Sequence, residues 1–240
     1  MISPFDIQCK FRYTVSSKEV ACVDISDGFP VWDQLTEQQQ ASLSHAAVLR
    51  PASRGAMLHG GAGDCLGLVL VRTGQLRAFI LSDQGREITL YRLLPGDICL
   101  FSAACAMGSL QLDIALEAEK DTSFWLIPPE TYRSIMEDSA PLANYTNARM
   151  TDRFSQVMWL MEQVMWHSFD RRLASFLLAE CDLEASSRLE LTHERIAAHL
   201  GTAREVVTRM LRYFQSEGLV HLSRGAVEIT DADRLRRLCT

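Results

Sequence analysis

Apolar positions toward the C-terminal end of the chain change period, and the changes outline a compact run of elements. Ile196, Ala197 and Leu200 share one face of a short helix that Thr192 can cap, and Gly201 supplies a tight turn behind it. Val207, Met210, Leu211 and Phe214 follow at i, i+3, i+4 and i+7, the inward stripe of a second helix. Thr202 with Glu205 three positions on makes a capping-box pattern, so the second helix is predicted to start there. Ser216-Glu217-Gly218 stops it. Leu219-Val220 and Val227–Ile229 then read as a small wing about the turn Ser223-Arg224-Gly225-Ala226. The run reads as a winged helix-turn-helix.

Between Gly55 and Ile127 the signals are strand and turn. Leu66–Val71, Leu76–Leu81, Ile88–Leu94, Leu112–Ala118 and Ser123–Ile127 are apolar β runs, punctuated by Thr73-Gly74, Ser82-Asp83-Gln84-Gly85 and Pro95-Gly96-Asp97. Strands this short between glycine turns predict an antiparallel sandwich or jelly roll. Before them, Phe29–Trp32 and Leu35–Gln38 open a short helical region ending near Leu49; residues 1–28 are mixed in pattern, and an arm lying on this domain is the expectation for them. After them, Pro128-Pro129 starts a helix over Glu130–Met136, and Ala140-Pro141 leads into a long one.

On that long helix Met150, Phe154, Val157, Met158, Met161, Val164 and Met165 make one stripe, with Trp159 and Trp166 on the opposite side. A helix apolar on two sides needs two covers. The expected covers are the same helix of a second copy and the chain's own β domain. After a hinge near Trp166–Phe169, the helix Asp170–Glu180, with Leu173, Phe176 and Leu177, begins the last domain. The expectation is an α+β chain with an antiparallel jelly-roll domain over residues 1–138, a long pairing helix over 139–167 and a winged helix-turn-helix domain over 168–240.

Composition adds bounds to this picture. At 240 residues with 48% hydrophobic and 8% aromatic content, the chain suits two modest domains with real cores. No run of 18 apolar residues offers a membrane span, and the N-terminus lacks a signal-peptide layout, so the expected location is the cytoplasm, with no membrane partner. Seven scattered cysteines, an odd number, argue against a disulfide framework. The net charge of −6 lies wholly in residues 1–167, which hold 13 Lys/Arg and 19 Asp/Glu, whereas residues 168–240 hold 11 of each. A neutral domain with its arginines focused on one helix can still bind DNA, with steep salt dependence.

The outward face of the second helix carries that chemistry. Glu205, Thr208, Arg209 and Arg212 repeat the helical spacing opposite the apolar stripe, with Arg204 beside them. Arginine forks match guanine's acceptor pair, a carboxylate accepts from cytosine N4, and a threonine methyl can touch thymine. Double-stranded DNA is the partner these residue types predict, with Thr192, Thr202 and the wing residue Arg224 as further contacts. Glu205 cannot fully serve both as capping-box partner and as base reader.

The segment Thr202–Met210, TAREVVTRM, resembles the recognition helix of the Crp/Fnr superfamily of bacterial transcription regulators, whose pattern is Arg-Glu-x-x-[Ser/Thr/Gly]-Arg. Arg204, Glu205, Thr208 and Arg209 match it position by position. The resemblance implies that Arg204 and Arg209 contact guanines and Glu205 a cytosine in a TGA-containing half-site. It extends over nearly the whole chain and implies a cyclic-nucleotide-binding-type β-roll, a homodimer on a palindrome, and contact with RNA polymerase if the protein activates. Helix-turn-helix dimers read half-sites about 34 Å apart.

The sensor half is less explicit. Relatives that bind cyclic AMP follow the Gly-Asp turn with a Gly-Glu cassette and an Arg-[Ser/Ala] pair, whereas Ile98–Gly108 has neither the glutamate nor an arginine. A buried phosphate without a cation is poorly satisfied, which argues against cyclic AMP. Only Cys9 and Cys22 lie near the start, so the tight cysteine array of the iron–sulfur relatives is absent. Cys99 and Cys105 stand in the cassette's place, in a run that resembles Cys-Leu-x-Ser-Ala-x-Cys of a less-characterised branch of the superfamily. A thiol switch is one reading of them, and buried small hydrophobes the other. Haem is an alternative, with His59, Cys65, Cys99, Cys105, Met107 and His45 as candidate ligands in no diagnostic motif. A small organic ligand in the roll is a third reading, and no metal site is assigned.

Other function classes find little support. No Walker loop, GxSxG elbow, HExxH or CxxC pair occurs, and the acid pair Asp83 and Glu87 reads as turn chemistry rather than an active site. A ligand-binding module without DNA binding would have no use for the outward arginines.

Overall fold

The computed structural model describes residues 24–60, 67–99 and 114–239. Two 3₁₀ turns, Ile25–Asp27 and Trp32–Gln34, precede α1 (Glu37–Ala46), which Thr36 and Gln39 close with a capping box. The helical region ends there and not near Leu49, because Pro51 cannot continue a helix. Val48–Ala52 instead forms β1, an edge strand paired with β8 (Thr122–Ile127).

Among the described residues, eight strands build two four-stranded antiparallel sheets. One has the order β1-β8-β3-β6, with β3 at Leu68–Thr73 and β6 at Ile98–Cys99. The other has the order β2-β7-β4-β5, with β2 at Met57–Gly60, β7 at Ile114–Ala118, β4 at Leu76–Leu81 and β5 at Glu87–Leu93. The short β2 and β6 are not singled out by the apolar pattern. Strand β3 shows why a central strand here reads as a continuous apolar run. Its Val69 and Val71 enter the core between the sheets, and its Leu68 and Leu70 enter a second core beneath α1 and the helix α2 (Pro129–Asp138).

Helix α3 (Ala140–Trp166) leaves the roll from a Ser139 cap. Its first half packs through Leu142 and Thr146, and the Thr146 hydroxyl meets that of Tyr132 at 2.7 Å. Its second half touches the roll through Arg153 and leaves an apolar side open. Phe154, Met158, Met161 and Met165 are exposed, as the two-cover argument allows for one side. The other side departs from expectation: Trp159 is 56% exposed and Trp166 is 76% exposed, so the chain's own roll does not cover them. Periodicity marks a side as apolar without placing a neighbour on it. No described helix is long and apolar enough to cross a membrane.

After a break at His167-Ser168 come α4 (Phe169–Glu184), β9 (Arg188–Leu189), α5 (His193–Leu200), α6 (Arg204–Ser216), β10 (Val220–Ser223), β11 (Ala226–Ile229) and α7 (Ala232–Cys239). They enclose a third core of Leu173, Leu177, Ile196, Val207, Leu211, Phe214 and Leu235.

Candidate nucleic-acid interface

Helices α5 and α6 form the turn that presents the arginines. Thr192 caps α5 by accepting the N–H of Arg195 at 3.1 Å. Gly201 ends it in the left-handed conformation, φ 66°, and the N–H of Thr202 donates to the carbonyl of Ala197. That bond corrects the expected capping box. Thr202 still belongs to the end of α5, the N-cap of α6 is Ala203, and no side chain caps it. Glu205 is thereby relieved of a capping role and lies exposed on the first turn of α6.

The inward stripe is as the spacing predicts: Val207, Leu211 and Phe214 are fully buried, and Met210 packs beside them. On the opposite face Arg204, Glu205, Arg209 and Arg212 are exposed. Among the described residues none of these four forms an ion pair. Thr208 donates its hydroxyl to the carbonyl of Arg204 at 2.9 Å and meets Nδ1 of His193 at 2.9 Å. Burial, and then the charges of Arg204 and Arg212, hold the His193 pKa below its ordinary value. Arg224 is exposed at the tip of the β10–β11 wing.

A second charged cluster lies behind this face, between α5 and the roll. The outer face of the β2-β7-β4-β5 sheet carries Arg77, Thr89, Arg92 and Glu117, with Glu119 just beyond β7, and the last domain covers it. Arg77 is fully buried, paired with Glu87 and Glu117, and stacked 4.0 Å over the ring of Phe79. Glu87 is therefore a structural ion-pair partner at the start of β5, not turn chemistry. Arg195 of α5 reaches Glu117 and Glu119, each at 3.0 Å. Arg92 pairs with Glu119 and with Glu180 of α4.

His199, on the same face of α5 as Arg195, completes the cluster. Its Nδ1 meets the Thr89 hydroxyl at 2.8 Å and its Nε2 lies 3.2 Å from Glu119. A neutral imidazole satisfies both contacts by accepting at Nδ1 and donating at Nε2. Burial is the main cause that lowers its pKa to about 4. Arg92 and His199 in turn hold Glu119 well below the usual carboxylate range despite its burial. Gly201 closes the same contact, since a Cβ there would lie 3.0 Å from Cδ1 of Ile88 on β5.

The effector candidates are placed only in part. Cys99 is buried on β6 in the inter-sheet core and lies beside the Tyr91 hydroxyl. The ring of Tyr91 carries the guanidinium of Arg153 from α3 at 4.6 Å, and Arg153 also reaches Asp97 at 3.4 Å. The backbone of His59 sits in β2 opposite Leu116, and His45 is exposed at the end of α1. Cys9, Cys22, Cys65, Cys105 and Met107 lie outside the described residues. Among the described residues no three His, Cys, Asp or Glu side chains converge as a metal site.

Comparison with known proteins agrees with this geometry. A family model for the Crp-like helix-turn-helix domain matches residues 171–238. The chain is 26% identical to the cyclic AMP receptor protein of Thermus thermophilus over 79% of this chain and 86% of that one. It is 27% identical to the transcriptional activator protein Anr of Pseudomonas aeruginosa, with 78% of each chain covered. A crystal structure from Eubacterium rectale, described as a Crp/Fnr-family transcriptional regulator, shares 55% identity over 89% of this chain and 99% of its own, with a TM-score of 0.85. These relatives are transcription regulators, not enzymes, and the fold of the Eubacterium rectale protein matches the roll and C-terminal helix-turn-helix seen here. The chain belongs to the Crp/Fnr family of DNA-binding transcription regulators.

Proposed function

We propose that the chain acts as a homodimer on a palindromic DNA site with TGA-type half-sites, α6 of each copy entering one major groove. The observation that carries this reading is the exposed set Arg204, Glu205, Arg209 and Arg212, unpaired among the described residues, on a helix whose other face is locked in the core. Arg204 and Arg209 suit guanine, and Glu205, free of capping, suits cytosine N4. The Thr208 hydroxyl is spent on Arg204 and His193, which leaves its methyl group for a thymine. Thr192, Thr202 and Arg224 flank this surface and suit the phosphates on either side.

Dimerisation runs along α3, whose exposed Phe154, Met158, Met161 and Met165 need a cover, with Val157 continuing the stripe and Met150, partly packed on the chain's own core, at its start. The division of labour is sensing over residues 1–138, pairing over 139–167 and DNA reading over 168–240. The test measures fluorescence anisotropy on a TGA palindrome and on a scrambled duplex, alongside sedimentation of wild type and Met161→Glu. Wild type should sediment as a dimer and prefer the palindrome, and the variant should lose both properties. Equal affinity for both duplexes would overturn the reading.

One observation favours a thiol input. Cys99 touches Tyr91, which carries Arg153 of the pairing helix, so a change at Cys99 has a packed route to α3. An oxidant that takes two electrons and two protons from Cys99 and Cys105 would join them as a disulfide. Thiol titration before and after oxidation, with a visible spectrum of anaerobically purified protein, decides the matter. Loss of two thiols in a colourless protein supports the switch, and a Soret band that responds to carbon monoxide or nitric oxide replaces it with haem.

A further inference from the structure

A cleft of about 350 Å³ opens where α3, α4, α5 and β5 meet, outside both the DNA-reading face and the interior of the roll. Its volume is that of a small ligand pocket, which surveys place at roughly 300–1,000 Å³ and often at domain junctions. Trp159 and Leu160 of α3 and Phe176 of α4 supply apolar wall. Trp159, left uncovered by the roll, is exposed because it borders this space.

The charges around the cleft are unevenly matched. Arg92 and His199 on its floor are satisfied by Glu119 and Glu180. Arg172 of α4 is different: its guanidinium donates to the carbonyl of Leu200 and pairs with no carboxylate among the described residues. Burial without a counter-charge holds its pKa below the ordinary arginine value. Ser175, three residues further on the same helix, and Gln163 of α3 line the cleft with a hydroxyl and an amide that have no partner among the described residues. An uncompensated cation and two neutral hydrogen-bonding groups beside an aromatic wall describe a receptor for one negative charge on an apolar body.

We propose that the junction cleft binds a small organic acid of the arylalkanoate class, its carboxylate on Arg172 and Ser175 and its ring against Trp159 and Phe176. A single cation suits a monocarboxylate, and the apolar wall selects a ring over a short aliphatic chain. Because the roll, the pairing helix and the DNA-binding domain each contribute a wall, an occupant fixes the angle between them. The regulatory consequence rests on the DNA-binding reading above, whereas binding of the acid does not.

The experiment is isothermal titration of the full-length protein, without DNA, with 3-phenylpropionate and phenylacetate, against the neutral 3-phenylpropionamide and against acetate. The expected result is saturable binding of the two aryl acids, at least tenfold weaker binding of the amide, and none of acetate. Arg172→Met should abolish binding, and Trp159→Ala should weaken it severalfold. Trp159 is exposed, so its variant keeps the test sound if Arg172→Met fails to fold, and Ser175→Ala gives a third reading. The proposal is overturned if neither aryl acid saturates, if acid and amide bind alike, or if binding is indifferent to both Trp159→Ala and Ser175→Ala. Aryl-acid binding by a protein that ignores the TGA palindrome would keep the cleft and discard the DNA-site reading. Palindrome binding without acid binding would do the reverse.

Discussion

Neighbouring helices of one small domain carry arginines used in opposite ways. Arg195 of α5 is held against two glutamates of the roll, with His199 and Arg92 drawn into the same network. Arg204, Arg209 and Arg212 of α6 are exposed and, among the described residues, form no ion pair. By charge and helical spacing the two sets look alike. The difference teaches that an arginine is available to an outside partner only when the fold withholds a carboxylate from it, and that a helix-turn-helix can spend one helix on its own protein and keep the next for DNA.

Breaking the paired set has the largest expected effect. Glu119→Ala removes the carboxylate shared by Arg92, Arg195 and His199 at a site where that side chain is 8% exposed. Removing one partner of a buried pair costs about 3–5 kcal/mol. Denaturant unfolding should show a loss of that order, and a loss near zero would mean that water already screens the cluster. The converse variant, Arg209→Ala, should leave unfolding unchanged and cost about 1–3 kcal/mol of specific DNA binding. Its base-reading role is lost if affinity for random DNA falls equally.

Acidification sharpens the contrast further. His199 titrates near 6.5 when unfolded and at about 4 when folded, so its contribution is full above the unfolded value and is lost as pH falls toward the folded one. Between pH 7 and 5 this amounts to about 2 kcal/mol of stability. Glu180, raised chiefly by burial, titrates with the opposite sign and offsets part of it. Stability profiles of wild type and His199→Gln should diverge in that window, and parallel profiles would remove His199 from the account. The smallest effect is expected at the cap: Thr192→Ala should cost about 1 kcal/mol by thermal unfolding.

The inward stripe of α6, the Thr192 cap and the apolar runs of the longer roll strands were legible because local pattern and local hydrogen bonding decide them. The Thr202–Glu205 box was misleading for an equally local reason. Gly201 lets the Thr202 amide close the preceding helix, and that geometry competes with capping the next one. The charged cluster was beyond reach. Arg77, Arg92 and Glu117 occupy outward strand positions, and alternation says which side a residue takes without saying what covers it. The useful signal was opposite charge at helical and strand spacing, Arg195 and His199 on α5 against Glu117 and Glu119, but more than seventy residues separate the two. For the effector, Cys99 sits in the inter-sheet core beside the Tyr91 hydroxyl, a contact across strands that no local pattern marks.

The buried pairs of Arg77 also bear on the order in which the chain is made. Domains tend to fold as they leave the ribosome, N-terminal first. When the roll closes, α4 and α5 are still unmade, and the sheet face they will cover stands open to water. A face of leucines waiting there would invite association with other nascent chains. This face waits with Arg77 already joined to Glu87 and Glu117 from its own sheet, and with Arg92 already joined to Glu119. It is hydrated, its two arginines paired and one carboxylate in excess, until Arg195 arrives with Glu180 and His199.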